Sequence, residues 1–342
     1  MPELLTIGGV QIAPGEQRQL QLPVSRLYTD TQISIPVHVI RAKKSGPSVF
    51  VSAAVHGDEL NGIEIARRLI AQKPKLCCGT LIIVPMVNVY GVLNQSRYMP
   101  DRRDLNRCFP GNDKGTPAGR LAYIFLNEIV KHCDYGIDLH TGAIHRSNLP
   151  QIRANLLDQQ TLALAEAFGV PVLLNANLRD GSLRESAVNN GARILRYEAG
   201  EALRFDELSI QTGLKGILNI LSSLQMIRKR TNKRKIAPFV ANRSDWTRAN
   251  ASGFVQDFVK LGQQVEKGAL LSEINSPLGD VIAQVIANRA GIIIGKQVIP
   301  LVQEGDAMFH IAYFGAADDE VAEHIETMQE QIQPINSTMQ VL

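Results

Sequence analysis

Two short strings carry residues whose types and spacing could hold a metal ion. In His56-Gly57-Asp58-Glu59 an imidazole and a carboxylate stand three residues apart, and Asp138-Leu139-His140-Thr141-Gly142 supplies a second imidazole. Two histidines and one carboxylate, with a fourth position open, form the ligand set of a catalytic zinc site. Calcium and magnesium prefer oxygen alone, so this mixed set suits a borderline-soft divalent cation. One Zn2+ per chain, held by His56, Glu59 and His140, is the expected cofactor. Asp138 lies two residues before His140, on the same face of a strand, and could orient that ligand. The remaining histidines, His38, His132, His145, His310 and His324, lack such partners. His145 is the nearest rival and reads as an exposed loop residue.

Two further strings could complete a reaction. Asp101 to Gly111 is polar, rich in arginine and ends in Pro-Gly, the pattern of a loop. Within it Arg107, beside Asn106, could hold an anionic substrate, because a guanidinium matches a carboxylate with two parallel hydrogen bonds. Tyr197-Glu198-Ala199-Gly200-Glu201 ends the strand expected over Arg193 to Tyr197, so Glu198 should reach the same rim as the candidate ligands. A carboxylate near a metal-activated water can take its proton and pass it to a leaving amine. Glu201 is a rival, set beyond the glycine.

The elements that must position these residues follow from periodicity. Val49 to Val55 is a nearly continuous apolar run, as expected of a strand buried on both faces, and Glu59 to Ala71 repeats as a helix. Leu81 to Val87, Tyr135 to Leu139, Val170 to Leu174 and Arg193 to Tyr197 read as further strands. Thr116 to Lys131, Thr161 to Phe168 and Phe205 to Ile227 read as helices. Alternation of this kind predicts an α/β sheet with helices on both faces, binding its ligands beyond the carboxyl ends of the strands. Ile144 to Pro150 reads as a loop that helps shape the pocket.

The expected organisation is a β extension over 1–45, containing strands at Gln19 to Leu22 and Ile33 to Ile40. A catalytic domain follows over 46–227, then a basic linker over 228–236. Glycine-punctuated short strands over 237–315 predict a small all-β domain, and 316–342 is a tail, acidic at first.

Composition narrows the classes. Of 342 residues, 45% are hydrophobic and 20% charged, so disorder and fibrous repeats are excluded. No apolar run approaches the roughly 18 residues of a membrane helix, and the first residues lack the pattern of a secretory signal. A cytoplasmic protein with no membrane partner is expected. Cys77, Cys78, Cys108 and Cys133 form no framework spacing and read as free thiols. The net charge of +3 depends on one run, Arg228 to Lys235, with six basic residues in eight. That run has no interleaved aromatics for base stacking, so it reads as a solvated linker and no nucleic-acid partner is expected.

Together and in this order, HGDE, DLNR, DLHTG and EAG resemble the succinylglutamate desuccinylase/aspartoacylase family, a branch of the zinc carboxypeptidase superfamily. The likeness covers about residues 48 to 225. It implies a mixed central sheet of the zinc carboxypeptidase type and zinc held by His56, Glu59 and His140. Glu198 would be general base and acid, and Asn106 with Arg107 the clamp on the substrate carboxylate. The family's oxyanion-stabilising arginine precedes DLNR; Arg97 corresponds to it, with Arg103 as a competitor. The C-terminal region resembles the barrel-sandwich fold of biotinyl and lipoyl domains, but its tip, Asn275-Ser-Pro-Leu-Gly279, lacks the lysine that would carry a cofactor. The implied activity is a zinc-dependent amidohydrolase that removes the acyl group of an N-acyl amino acid or similar small amide, with homo-oligomers possible. Two alternatives stand: a zinc carboxypeptidase acting on a peptide or peptidoglycan fragment, and a non-enzymatic binding protein built on the β-module.

Overall fold

The computed structural model describes residues 4–228 and 237–313. The chain opens with a hairpin, β1 (Leu5–Ile7) and β2 (Val10–Ile12), then the long strands β3 (Gln17–Arg26) and β4 (Gln32–Arg41). The α/β part follows as β5 (Ser48–Ala53), α1 (Asn61–Ala71), β6 (Thr80–Val84), α2 (Val89–Leu93), α3 (Pro117–Glu128) and β7 (Tyr135–His140). It continues through β8 (Arg146–Ala154), α4 (Gln159–Phe168), β9 (Val172–Asn175), α5 (Leu183–Asn189), β10 (Arg193–Gly200) and α6 (Glu207–Ser223). The last described part is all strand. It comprises β11 (Phe239–Ala241), β12 (Arg243–Arg248), β13 (Gly253–Asp257), β14 (Gln264–Val265), β15 (Leu270–Asn275), β16 (Val281–Ile286), β17 (Gly291–Gln297), β18 (Leu301–Val302) and β19 (Ala307–Tyr313).

The main sheet has the order β12-β19-β17-β8-β10-β7-β5-β6-β4-β3, with β9, β11 and β14 paired beside it. The pairs β6–β5, β5–β7 and β7–β10 are parallel, so these four strands end on one edge. Antiparallel neighbours, β4 on one side and β8 on the other, make the sheet mixed. Side chains alternate across it as the period of two requires. On β5, Phe50 joins one core with Leu121 and Phe125 of α3 and Leu183 of α5. Val49 and Val51 join another with Ile65 and Leu69 of α1, Phe168 of α4 and Ile217 of α6. Helices therefore cover both faces of the central strands, which explains why those strands read as apolar without alternation.

Helix starts follow local chemistry. Thr116 accepts the Gly119 N–H ahead of Pro117, and Asp158, Ser182 and Asp206 cap α4, α5 and α6 in the same manner. Phe125 is fully buried, edge-on to Phe50 at 6.2 Å and to Phe109 at 6.4 Å. Phe125→Ala is expected to lower unfolding stability by about 3–5 kcal/mol. A urea titration should show the midpoint falling with an unchanged slope; a midpoint within error of the parent protein would contradict this packing.

Among the elements that differ from expectation, two bear on the site. Ile144 to Pro150 is not all loop, because β8 begins at Arg146 and continues to Ala154. Its polar start and Pro150 concealed it. An extra residue in β8 between the pairs Glu198–Gln151 and Gly200–Asn148 forms a bulge at Leu149–Pro150, which takes the proline out of the ladder. Helix α5 was not foreseen either; at seven residues it is too short to show a period.

In the C-terminal part, β13, β15, β16 and β18 form a separate four-stranded sheet. It shares one core with β17 and β19, through Leu271, Ile274, Val285, Ile293, Phe309 and Ile311. That sandwich is continuous with the main sheet, because β17 pairs antiparallel with β8. The expected basic linker, apart from its first residue Arg228, the last two residues of the expected β-domain, and the expected tail over 316–342 lie outside the described residues. Among the described residues no helix is long and apolar enough to cross a membrane, and all four cysteines are free.

Candidate metal centre

The first strand-to-helix turn sets the geometry. Ala54, directly after β5, adopts a left-handed conformation (φ 52°) and turns the chain into His56–Glu59. Gly57 packs against the backbone of α2 so closely that a Cβ would lie 1.9 Å from the carbonyl carbon of Gly91. Only glycine fits there. The turn thus holds His56 and Glu59 over the edge where β7 ends in His140.

All three side chains are buried, and their donor atoms lie within 4.8 Å of one another. Nδ1 of His56 is 2.7 Å from Glu59 Oε1, and Nδ1 of His140 is 2.7 Å from Glu59 Oε2. The Thr141 N–H also donates to Oε2, at 3.1 Å. The far ring nitrogens are held by carboxylates. His140 Nε2 is 2.7 Å from Asp138, whose other oxygen accepts from Ser52, and His56 Nε2 is 3.1 Å from Asp104. Imidazoles whose outer nitrogens rest on carboxylates, with their inner nitrogens converging beside a third carboxylate, match the surroundings of metal-binding histidines. The residues therefore fit a divalent cation.

Electrostatics agree with that fit. Burial disfavours charge on Glu59, but His56 and His140 outweigh it and hold the carboxyl well below the usual range. Burial likewise opposes charge on His140, yet Asp138 and Glu59 hold its pKa up to about 10. The pocket is built to hold positive charge among carboxylates.

Glu198 reaches this centre through sheet register: it pairs with His140 across β10 and β7, and so occupies the same face. Its Oε2 accepts from the Asn148 amide at 2.9 Å. Its Oε1 faces two guanidiniums, Arg196 at 3.7 Å and Arg153 at 3.8 Å. Glu201 instead pairs with Arg204 at 3.4 Å.

Arg97 reaches the triad, 3.3 Å from Glu59 and 3.1 Å from Asp104. Arg103 does not; its exposed side chain lies 3.9 Å from Asp101, and among the described residues no hydrogen bond or ion pair joins it to the triad. The reason is geometric: Arg103 follows a tight turn in which Arg102 is left-handed, and its side chain leaves on the solvent side. Asn106 and Arg107 lie on a single 3-10 turn, capped by Asp104. Asn106 is buried, its side-chain Oδ1 accepts from the Leu183 N–H, and among the described residues its side-chain N–H groups have no partner. Arg107 is exposed and donates to the backbone carbonyl of Asn106. His145 is an exposed loop residue, as expected.

Several neighbours were missed. Asp104 opens the DLNR string, but only its last two residues had been given roles. Arg196 could have been found, since it lies two residues before Glu198 and the strand period puts both on one face. Asn148 and Arg153 were lost with β8. Arg184, from unforeseen α5, is buried; desolvation, then Arg196 and Arg153, bring its pKa down to about 10.

Comparison with known proteins gives the family. The catalytic-domain profile of the succinylglutamate desuccinylase/aspartoacylase family matches residues 45–224. The chain is 27% identical to the N-alpha-acetyl-L-2,4-diaminobutyric acid deacetylase of Halomonas elongata, over 86% of this chain and 90% of that protein. It is 30% identical to a succinylglutamate desuccinylase of Pseudomonas aeruginosa over 43% of this chain and 46% of that one. Among solved structures, a succinylglutamate desuccinylase/aspartoacylase from Rhodobacter sphaeroides superposes with a TM-score of 0.75 at 27% identity, covering 87% of this chain and 95% of that one. The product-bound ectoine utilization protein of Ruegeria pomeroyi shares the fold, with a TM-score of 0.77 at 24% identity and the same coverage. The named relatives are amide-cleaving deacylases, and with the profile spanning just over half of its residues, this chain belongs to the succinylglutamate desuccinylase/aspartoacylase family.

Proposed function

We propose that the protein is a zinc-dependent deacylase that cleaves the amide bond of an N-acyl amino acid, with one Zn2+ per chain. The observation that carries this reading is the convergence of His56, Glu59 and His140 with Glu198 on the adjoining strand. His56, Glu59 and His140 would hold the ion, which when bound acidifies water and polarises a carbonyl.

The chain's own residues supply the rest. Glu198 accepts a proton from water at Oε1 or Oε2 and delivers it to the departing amine, so its carboxylate must be ionised at the start and the end of each turnover. Asn148 orients it. Arg97, on the triad's open flank, offers positive charge where the carbonyl oxygen becomes negative. Asn106, with a buried and unpartnered amide N–H, and Arg107, on the same turn, fit the substrate carboxylate. Arg179 and Arg196 act electrostatically on Arg107, which adds to a cationic rim suited to an anionic substrate. The likeness to a deacetylase of an acetylated amino acid supports the same substrate class.

Hydrolysis of a panel of N-acetyl and N-succinyl amino acids, with and without chelator, tests the reading. Release of C-terminal residues from short peptides, with no deacylation, would replace it by a carboxypeptidase. Arg107→Ala is expected to raise KM for carboxylate-bearing substrates about 10–100-fold with little change in kcat, since one charge-assisted hydrogen bond is lost. An unchanged KM would remove Arg107 from the clamp.

A further inference from the structure

Of the three side chains beside Glu198, two, Asn148 and Arg153, are themselves met by residues of the C-terminal strands. Asn148 on β8 pairs across the ladder with Gly295 of β17. A Cβ at residue 295 would stand 2.8 Å from Asn148 Oδ1 and 3.2 Å from the Cβ of His310, so the missing side chain is what leaves room for the Asn148 amide. Arg153, five residues further along β8 and beyond its bulge, places Nη2 3.2 Å from Nδ1 of His310 on β19. His310 is buried, stacks on its cross-strand partner Trp246 at 4.7 Å with planes 9° apart, and has Nε2 2.9 Å from Ser244 Oγ.

The hydrogen-bond pattern defines the state of this ring. A guanidinium can only donate, so Nδ1 must accept, and Nε2 carries the proton and donates to Ser244. Burial, and then the charge of Arg153, push the His310 pKa down to about 3, which agrees with a neutral ring. A neutral acceptor fixes the Arg153 guanidinium without cancelling its charge. A carboxylate at position 310 would bind the same arginine but draw it away from Glu198 and neutralise it.

From these contacts we infer that His310, acting through Arg153, and Gly295, acting through Asn148, are positioning residues for Glu198, so that the C-terminal strands form part of the catalytic apparatus. This rests on Glu198 being the proton-transfer group of the proposed deacylase. A catalytic carboxylate must be held within about 0.5 Å of its productive place, and support from neighbouring side chains is what achieves that. Trp246 and Ser244 in turn hold His310.

The test compares His310→Phe, which keeps the stacking surface but removes the acceptor, with His310→Asn, whose amide oxygen can stand in for Nδ1. Crystal structures and kinetics are obtained for both full-length proteins and the parent. In H310F the Arg153 guanidinium should leave its place beside Glu198, and kcat should fall about 10–100-fold with KM within threefold, as for lost outer-shell support. H310N should restore both the Arg153 position and most of kcat. Ser244→Ala, at a half-buried site, is a milder version and should lower kcat severalfold by freeing the ring to turn its proton toward Arg153. Arg153 and Glu198 unmoved in H310F would overturn the inference. So would displaced side chains with parental kcat, or equal losses in H310F and H310N. Should the parent hydrolyse no N-acyl amino acid, the proposed function fails alone, and the crystallographic comparison still decides whether His310 positions Arg153 and Glu198.

Discussion

Glu198→Gln is expected to lower kcat on the best N-acyl amino acid by about 10²- to 10⁴-fold, the range for a lost general acid–base group. The substitution keeps the shape of the side chain, and its amide oxygen can still accept from Asn148, which now sits 2.9 Å from Oε2. What disappears is the ability to take a proton and return it. Because Glu198 is on β10, and His56, Glu59 and His140 lie elsewhere, metal content should be unchanged. The measurement is steady-state kinetics beside metal analysis of the same preparation. The substitution also removes the negative charge beside Arg153 and one of those beside Arg196, so some loss of stability should accompany it, read as a lower midpoint in urea. Parental kcat in E198Q would exclude Glu198 as the proton carrier and return attention to the other acidic groups of the rim.

Removing the metal should have the second-largest effect. With zinc present at 100 to 1,000 times its dissociation constant, binding adds about 2.7–4.1 kcal/mol to unfolding stability, which a chelator should take away. Turnover should be lost with it and return on adding zinc. The chelated protein should nonetheless stay folded. Glu59 already lies 2.7 Å from both inner ring nitrogens, and His140 is held near a pKa of about 10. Protons can therefore stand in for some of the missing charge. Circular dichroism before and after chelation, with thermal melts and activity, checks both halves. Undiminished turnover in chelator would refute a metal-dependent reaction; global unfolding on chelation would refute the claim that the cluster holds itself together.

How much of this was visible in the residues can be judged from particular elements. The strands Val49 to Val55 and Tyr135 to Leu139 could be found because both of their faces are buried, which leaves short, mostly apolar runs broken only by Ser52 and Asp138. HGDE and DLHTG follow those strands directly, so placing His56, Glu59 and His140 on one rim needed only the rule that such sheets bind at their carboxyl ends. Arg97 and Arg103 are six residues apart, and no spacing rule ranks them; a turn at Arg102 directs one outward while the other lies along Glu59. Asp104 behind His56 required knowing where the loop folds back.

Local patterns by themselves determined the alternation of strands and helices, the candidate ligands and the all-β character of the last described part, because these depend on the chemistry of near neighbours in the chain. Tertiary structure decided which arginine faces the centre, that a polar strand interrupted by Pro150 carries Asn148 and Arg153, and that β17 joins β8 to make one sheet from the catalytic and C-terminal parts. Those outcomes depend on contacts well beyond the reach of a local pattern, from Arg97 on Glu59 to Asn148 beside Gly295, where register and packing choose among partners whose local sequences are equally compatible.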